Sequence, residues 1–144
     1  MKVDYSEEYY DILNIIERLR EECVNQYGTL YKAAKSFGSR HLNKYLNNNA
    51  YSLGLKNMTK ICKFLNISLE YALNGGVKEN FVEQIPTFNN FYRVYKDIYK
   101  GEVDHQVYID CWLVKKGKRT TIPLKYLIKI AKRSKKTLDF LIGG

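Results

Sequence analysis

Residues 52–73 read SLGLKNMTKICKFLNISLEYAL, and residues 121–142 read TIPLKYLIKIAKRSKKTLDFLI. In both stretches apolar residues recur at spacings of three and four, which is typical of an amphipathic helix. Ser68 and Thr137 follow that helix in the two stretches, and a hydroxyl side chain is well suited to capping a helix start. Each stretch is therefore predicted to form a helix, a turn and a second, short helix.

The two stretches match position by position at a shift of 69 residues, which indicates an internal repeat. The conservative pairs include the cap, the acid two positions later, and an aromatic ring after that acid. The identical pairs are Leu55 with Leu124, Lys56 with Lys125, Lys60 with Lys129, Ile61 with Ile130, Lys63 with Lys132, and Leu69 with Leu138. We predict two tandem units, residues 1–76 and 77–144, joined by a linker near Gly75, Gly76 and Pro86.

The rest of the chain is also predicted to be helical, because no segment alternates polar and apolar residues for long. One amphipathic helix should run to a stop at Gly28, and Thr29 should cap a short helix that Gly38 ends. Ser39 should cap the helix after it. Further helices are expected at 91–99, 103–116 and 123–133. The predicted fold class is all-α, with nine to ten short helices.

The charges lie in blocks. The net charge is +9, and seven of the fifteen acidic residues fall within the first 22 positions. Residues 23–69 contain seven basic residues and no acid, and residues 111–138 contain ten basic residues and no acid. A polyanion is the simplest partner for such surfaces.

The second unit resembles the lambda-repressor and Cro-like (XRE-type) helix-turn-helix family, whose pattern is a Gly-Lys-Arg loop, a Pro, a helix of the form L-x-K-I-A and a short final helix. The matching residues are Gly117, Lys118, Arg119, Pro123, Leu127, Lys129, Ile130, Ala131 and Leu138. In the first unit, TLYKAAKSFGSRHLNKYL at 29–46 is similar to a helix-turn-helix, with Ala34 at the tight helix contact and Gly38 in the turn.

The resemblance implies binding of double-stranded DNA, with a recognition helix in the major groove. The expected base-reading residues are Ser39, Arg40, His41, Asn43, Lys44 and Asn47 in the first unit, and Gln106 in the second. Three lysines share one helix face in each copy, and both triplets are expected to contact phosphates. The full expected phosphate set is Lys56, Lys60, Lys63, Lys115, Lys116, Lys118, Arg119, Lys125, Lys129 and Lys132.

The leading hypothesis is a small transcriptional regulator whose two units act as a pseudo-dimer, while a homodimer and a protein partner stay open. The alternatives are a protein-interaction adaptor or inhibitor that reuses the scaffold, marked by exposed rings such as Tyr108 and Tyr126, and an RNA-binding protein. Most other aromatic rings are expected in the core, namely Tyr9, Tyr45, Tyr71, Trp112 and Phe140. No catalytic motif, cofactor loop or metal-ligand spacing occurs, so we expect no enzyme, cofactor or metal. The lack of a long apolar run or leader-like start predicts a cytoplasmic protein.

Overall fold

The computed structural model describes residues 6–38, 41–46, 53–100, 109, 113, 116 and 122–144. Within these residues the regular structure is α-helical and no strand occurs, so the predicted all-α class is confirmed for the described part of the chain. Eight helices are described: α1 (Ser6–Tyr27), α2 (Leu30–Phe37), α3 (His41–Tyr45), α4 (Leu55–Leu65), α5 (Leu69–Asn74), α6 (Asn89–Tyr99), α7 (Leu124–Ser134) and α8 (Leu138–Ile142). Most of the helix predicted at 103–116 lies outside the described residues.

The chain divides into two compact units. One is Tyr10–Val82, and the other is Glu83–Gly144 together with the start of the chain up to Tyr9. We call them the first and the second unit. The division at residues 76 and 77 and the tandem helix-turn-helix arrangement stay predictions.

In the first unit, side chains of α1 cap the ends of two later helices. The Arg18 Nη1 atom donates to the carbonyl oxygens of Ala72 and Leu73 at 2.8 and 3.0 Å. The Gln26 Nε2 atom donates to the carbonyl oxygen of Leu65 at 2.8 Å. These carbonyls belong to the last turns of α5 and α4, where no intrahelical donor remains. The core of this unit includes Ile15, Leu19, Cys23, Leu42, Leu46, Met58, Ile61 and Leu65, all buried.

The helix α2 begins and ends where its sequence predicts. The Thr29 Oγ1 atom accepts a hydrogen bond from the Lys32 amide at 3.1 Å, which confirms the predicted cap. Gly38 has a φ of 81°, and its amide donates to the Ala34 carbonyl in the last turn. This left-handed conformation favours glycine because it lacks a Cβ. Ala34 is buried, and α2 packs against α3.

An aromatic cluster connects α2 to α1 and α4. The rings of Tyr27 and Phe64 are stacked with centroids 5.1 Å apart, and Phe37 meets Phe64 edge-on at the same distance. Such pairs contribute about 0.5–1.5 kcal/mol each beyond the area they bury. The cluster therefore fixes the end of α2 relative to the rest of the first unit.

In the second unit, α6 packs against both α7 and α8 and buries Phe91 and Tyr95. It begins at Asn89, two residues before the predicted start, and the left-handed Lys100 follows its last residue, Tyr99. The amides of Phe88 and Asn90 donate to the carbonyls of Ile142 and Gly143 at 2.8 and 3.0 Å. These bonds hold the end of α8 at the start of α6.

The helices α4 and α7 occupy equivalent positions in the two repeated stretches. At the shift of 69 residues their first and last residues coincide, and each is followed by a residue in the left-handed conformation. That residue is Asn66, with a φ of 54°, after α4 and Lys135, with a φ of 58°, after α7. The predicted span 123–133 for α7 is therefore wrong by one residue at each end, because Pro123 precedes the helix.

The short helices α5 and α8 share their caps as well. The Ser68 Oγ atom accepts from the Tyr71 amide and the Thr137 Oγ1 atom accepts from the Phe140 amide, both at 3.0 Å. The local geometry predicted from the repeated sequence is thus present in both stretches.

Several rings predicted in the core lie nearer the surface. Phe140 is 42% exposed, and the Lys136 ammonium lies 5.5 Å from its ring centroid. Tyr9, Tyr45 and Tyr71 are half-buried, and Trp112 lies outside the described residues. Three of these rings, Tyr45, Tyr71 and Phe140, belong to helices of only five or six residues, which have few positions that face inward, so these rings sit at the edge of the core.

The segment between the last residue of α5 and the first of α6 is not helical, as predicted for the linker. Its first part is fixed to the first unit. The Lys78 ammonium pairs with the buried Glu22 carboxylate at 3.0 Å, and the Ser68 amide donates to the Glu79 carbonyl. Among the described helices, none combines the length and apolar character needed to cross a bilayer.

Candidate nucleic-acid interface

The lysines of α4 form a stripe on the side of the helix that faces away from the core. At about 100° per residue, Lys56, Lys60 and Lys63 fall within about 60° of the helix circumference. All three are exposed. The opposite arc holds the buried residues of the helix, which are Leu55, Met58, Ile61, Cys62 and Leu65. We call these three lysines the α4 stripe.

The α4 stripe has dimensions that suit a nucleic-acid backbone. Lys56 and Lys63 are seven residues apart, which is about 10.5 Å along the helix axis. Each strand of B-DNA carries one phosphate for about every 3.4 Å along the duplex axis. A stripe that lies parallel to that axis therefore spans about three phosphate steps.

The equivalent lysines of α7 lie between more deeply buried neighbours. Lys125 and Lys132 are exposed and Lys129 is half-buried. The residues on either side of this stripe, Tyr126 and Ile128, are 8% and 0% exposed. In α4 the equivalent residues are half-buried polar side chains, Asn57 and Thr59. The two stripes therefore share their spacing but differ in how far the neighbouring residues are covered.

The pair of helices α2 and α3 exposes polar and basic side chains. Asn43 and Lys44, both predicted to read bases, are exposed on α3, and His41 begins that helix. On α2, Lys32 and Lys35 are exposed and Tyr31 is 71% exposed. The three α2 residues were not among the predicted contacts. The sequence did carry a signal for them, because they do not follow the apolar spacing of three and four that marks a buried helix face.

One of the remaining predicted contacts falls within the described residues. Lys116 is exposed in a turn. The others lie outside the described residues, and they are Ser39, Arg40, Asn47, Gln106, Lys115, Lys118 and Arg119.

The acidic residues of the first unit lie on other elements. Glu17 and Glu21 are exposed on α1, and Glu22 is buried beside Lys78. Since α2, α3 and α4 contain no acid, the positive charge of the first unit is concentrated on these three helices. This separation leaves the α4 stripe without a carboxylate on its own helix.

The Cys23 side chain is buried in the core of the first unit. Burial, together with the nearby Glu22 charge, raises the pKa of the Cys23 thiol from 9.0 to about 11, so it stays protonated at neutral pH. Among the described residues, no three His, Cys, Asp or Glu side chains come together as metal ligands.

No family model, curated protein or solved structure matches this chain.

Proposed function

We propose that this chain binds double-stranded DNA as a small transcriptional regulator, with the first unit as the main contact and the second unit as a divergent partner in a pseudo-dimer. The observation that carries the proposal is the α4 stripe, whose three exposed lysines lie opposite the buried face of their helix. A solvated helix face usually mixes both signs of charge, whereas this one carries positive charge alone.

The helices α2 and α3 supply the element that reads sequence. They are consecutive helices that pack against each other, as is expected of the two helices of a helix-turn-helix. The exposed amide of Asn43 suits the paired donor and acceptor of adenine in the major groove. Arg40, predicted beside it, suits guanine, and both residues remain proposed contacts.

The lysines of the α4 stripe would make DNA binding sensitive to salt. Three phosphate contacts give a slope of about −2.7 in a plot of log affinity against log salt concentration. Between 50 and 200 mM salt, these three contacts alone would weaken binding about 40-fold. Contacts from α2 and the second unit would add to this slope.

Fluorescence anisotropy with random and selected DNA duplexes over a salt series tests the proposal. Lys60→Gln should weaken binding to all duplexes alike and reduce the magnitude of the salt slope by about 0.9. Asn14→Asp is the matched control, because it also lowers the net charge by one but lies at an exposed position of α1. It should leave the slope nearly unchanged. No duplex binding below about 100 μM at 50 mM salt would refute DNA binding, since nonspecific binders reach that range.

Sequence preference is a separate part of the proposal. Asn43→Ala and Arg40→Ala should each relax the preference at one base pair, by about 1–3 kcal/mol of discrimination. If both variants keep the full preference for the selected DNA sequence, then α3 is not the recognition helix.

The alternative of a protein-interaction adaptor requires an exposed apolar patch on the recognition face, in place of polar residues. Tyr126, one of the two rings expected to mark it, is buried, and Tyr108 lies outside the described residues. Competition between duplex DNA and structured RNA in the same assay separates the RNA-binding alternative.

A further inference from the structure

A second surface with a different composition lies on α6 of the second unit. Asn89, Tyr92, Lys96 and Tyr99 fall within about 80° of the circumference of this helix. The buried Phe91 lies outside this arc. Aromatic and polar side chains therefore alternate along one face, in contrast to the α4 stripe, which is purely cationic.

Cations lie against both tyrosine rings. The Lys96 ammonium is 5.0 Å from the centroid of Tyr92. On α7, the Arg133 guanidinium carbon is 5.5 Å from the centroid of Tyr99, and its Nη1 atom donates to the tyrosine hydroxyl at 3.1 Å. Attraction to the ring face holds each cation near its ring. The surface thus presents an aromatic ring and a positive charge side by side at two places.

The first of these places includes a cavity of about 310 Å³, lined by Asn89, Tyr92, Arg93, Lys96 and Gly144. Asn89, Arg93 and Lys96 are exposed, so the cavity faces solvent. The Asn89 Nδ2 atom donates to the Gly144 carbonyl at 3.0 Å, which fixes the amide at one wall. An aromatic face, two cations and an oriented amide are the groups that recognise a base and its phosphate.

We propose that this α6 surface binds an unpaired nucleotide, with the base stacked on Tyr92 and the phosphate held by Arg93 and Lys96. A base inside a duplex has its faces covered by its neighbours, so this ligand differs from the DNA duplex of the proposed function. Tyr99, about 10.5 Å further along the helix, already contacts the Tyr95 ring at 4.8 Å and the Arg133 guanidinium, so the stacked base is assigned to Tyr92 alone. A free nucleotide and a single strand share this chemistry.

The test measures how tightly the full chain binds fluorescently labelled 12-nucleotide strands, by fluorescence anisotropy at 150 mM salt. The two strands are oligothymidine DNA and oligouridine RNA. Tyr92→Ala should weaken strand binding by about 5- to 150-fold, the effect of losing one stacked base. Tyr92→Phe should bind as the unchanged chain does, because it keeps the ring. Tyr10→Ala is the matched control, since it removes an exposed tyrosine of α1, a helix that carries no proposed nucleic-acid contact.

Competition with uridine and thymidine monophosphates distinguishes the two sources of the ligand. Displacement of the labelled strand by either mononucleotide at millimolar concentration assigns a free nucleotide, and displacement only by unlabelled strands assigns a single strand. Unchanged strand binding by a Tyr92→Ala variant with an unchanged circular dichroism spectrum would overturn the proposal. So would the absence of strand and mononucleotide binding below about 1 mM.

Duplex binding measured on the same variants separates this inference from the proposed function. Tyr92→Ala should retain duplex affinity, and Lys60→Gln should retain the larger part of its strand affinity.

Discussion

The Arg18 side chain lies close to Gly75, so the energetic coupling between substitutions at these two positions can be measured. The Arg18 guanidinium donates to two carbonyls at the end of α5, and Gly75 lies just beyond that end. A Cβ atom added at Gly75 would lie 3.3 Å from the guanidinium nitrogens. Gly75 also has a φ of 74°, which side chains rarely adopt. We therefore predict that Gly75→Ala destabilises the first unit both directly and by displacing Arg18.

The magnitudes follow from these contacts. Arg18→Met keeps the apolar stem but removes both hydrogen bonds, and one partly buried charged donor is worth about 2 kcal/mol. Gly75→Ala should cost about 1–3 kcal/mol for the backbone conformation, because a φ of 74° with a ψ of −148° is essentially confined to glycine. Its Cβ contact with the guanidinium should add about 0.5–1 kcal/mol, and this addition should vanish in the Arg18→Met background.

Urea denaturation followed by far-ultraviolet circular dichroism measures the cycle of the two single variants and the double variant. The urea concentration at the unfolding midpoint should fall in each variant. The slope of the unfolding free energy against urea concentration should stay constant, as expected when only stability changes. Lys32→Met, at an exposed position of α2, is the control for the loss of a surface charge. Additive costs within about 0.3 kcal/mol would show that Arg18 and Gly75 do not interact, and the reasoning would then fail.

Three further predictions concern other contacts. Lys135→Asn should stabilise the protein by about 0.5–1 kcal/mol in the same denaturation assay. Asparagine accepts the left-handed conformation more readily than lysine, as Asn66 does after α4. A lower unfolding midpoint would contradict this prediction. Phe64→Ala should cost about 2 kcal/mol and weaken duplex binding because Phe37 loses its partner, whereas Phe64→Leu should cost less. The raised pKa of Cys23 means that its contribution to stability is complete below pH 9 and is lost as the pH rises toward 11, and a thiol reagent at pH 8 should label it only after unfolding.

The local structure of this protein follows closely from its sequence. Thr29, Ser68 and Thr137 cap the helices that their positions predict, since a cap depends on a side chain and an amide only three residues away. Gly38 ends α2 for an equally local reason, the backbone conformation that it alone adopts without strain.

Contacts between distant parts of the chain could not be predicted in this way. Arg18 reaches carbonyls 54 and 55 residues away, and nothing in the spacing of charged residues identifies such a donor. The α6 surface was not predicted from the sequence, because aromatic residues at helical spacing indicate a core. Only the packing of α6 shows which of its rings are buried. Phe91 and Tyr95 fill the core, while Tyr92 and Tyr99 stay half-buried beside cations.

The two lysine stripes have the same spacing, but we expect them to contribute unequally to the proposed DNA binding. Counterion release depends on how many lysines reach phosphates, and that number depends on what covers the neighbouring residues. The α4 stripe has half-buried polar neighbours and can contribute three contacts. On α7, buried Tyr126 and Ile128 flank the lysines and Lys129 is half-buried, so fewer contacts are expected. Replacing the three α7 lysines with glutamine should therefore reduce the salt slope by less than the 2.7 expected for the α4 stripe. Equal reductions would mean that the covering of α7 does not restrict its lysines and that the two units contact DNA alike.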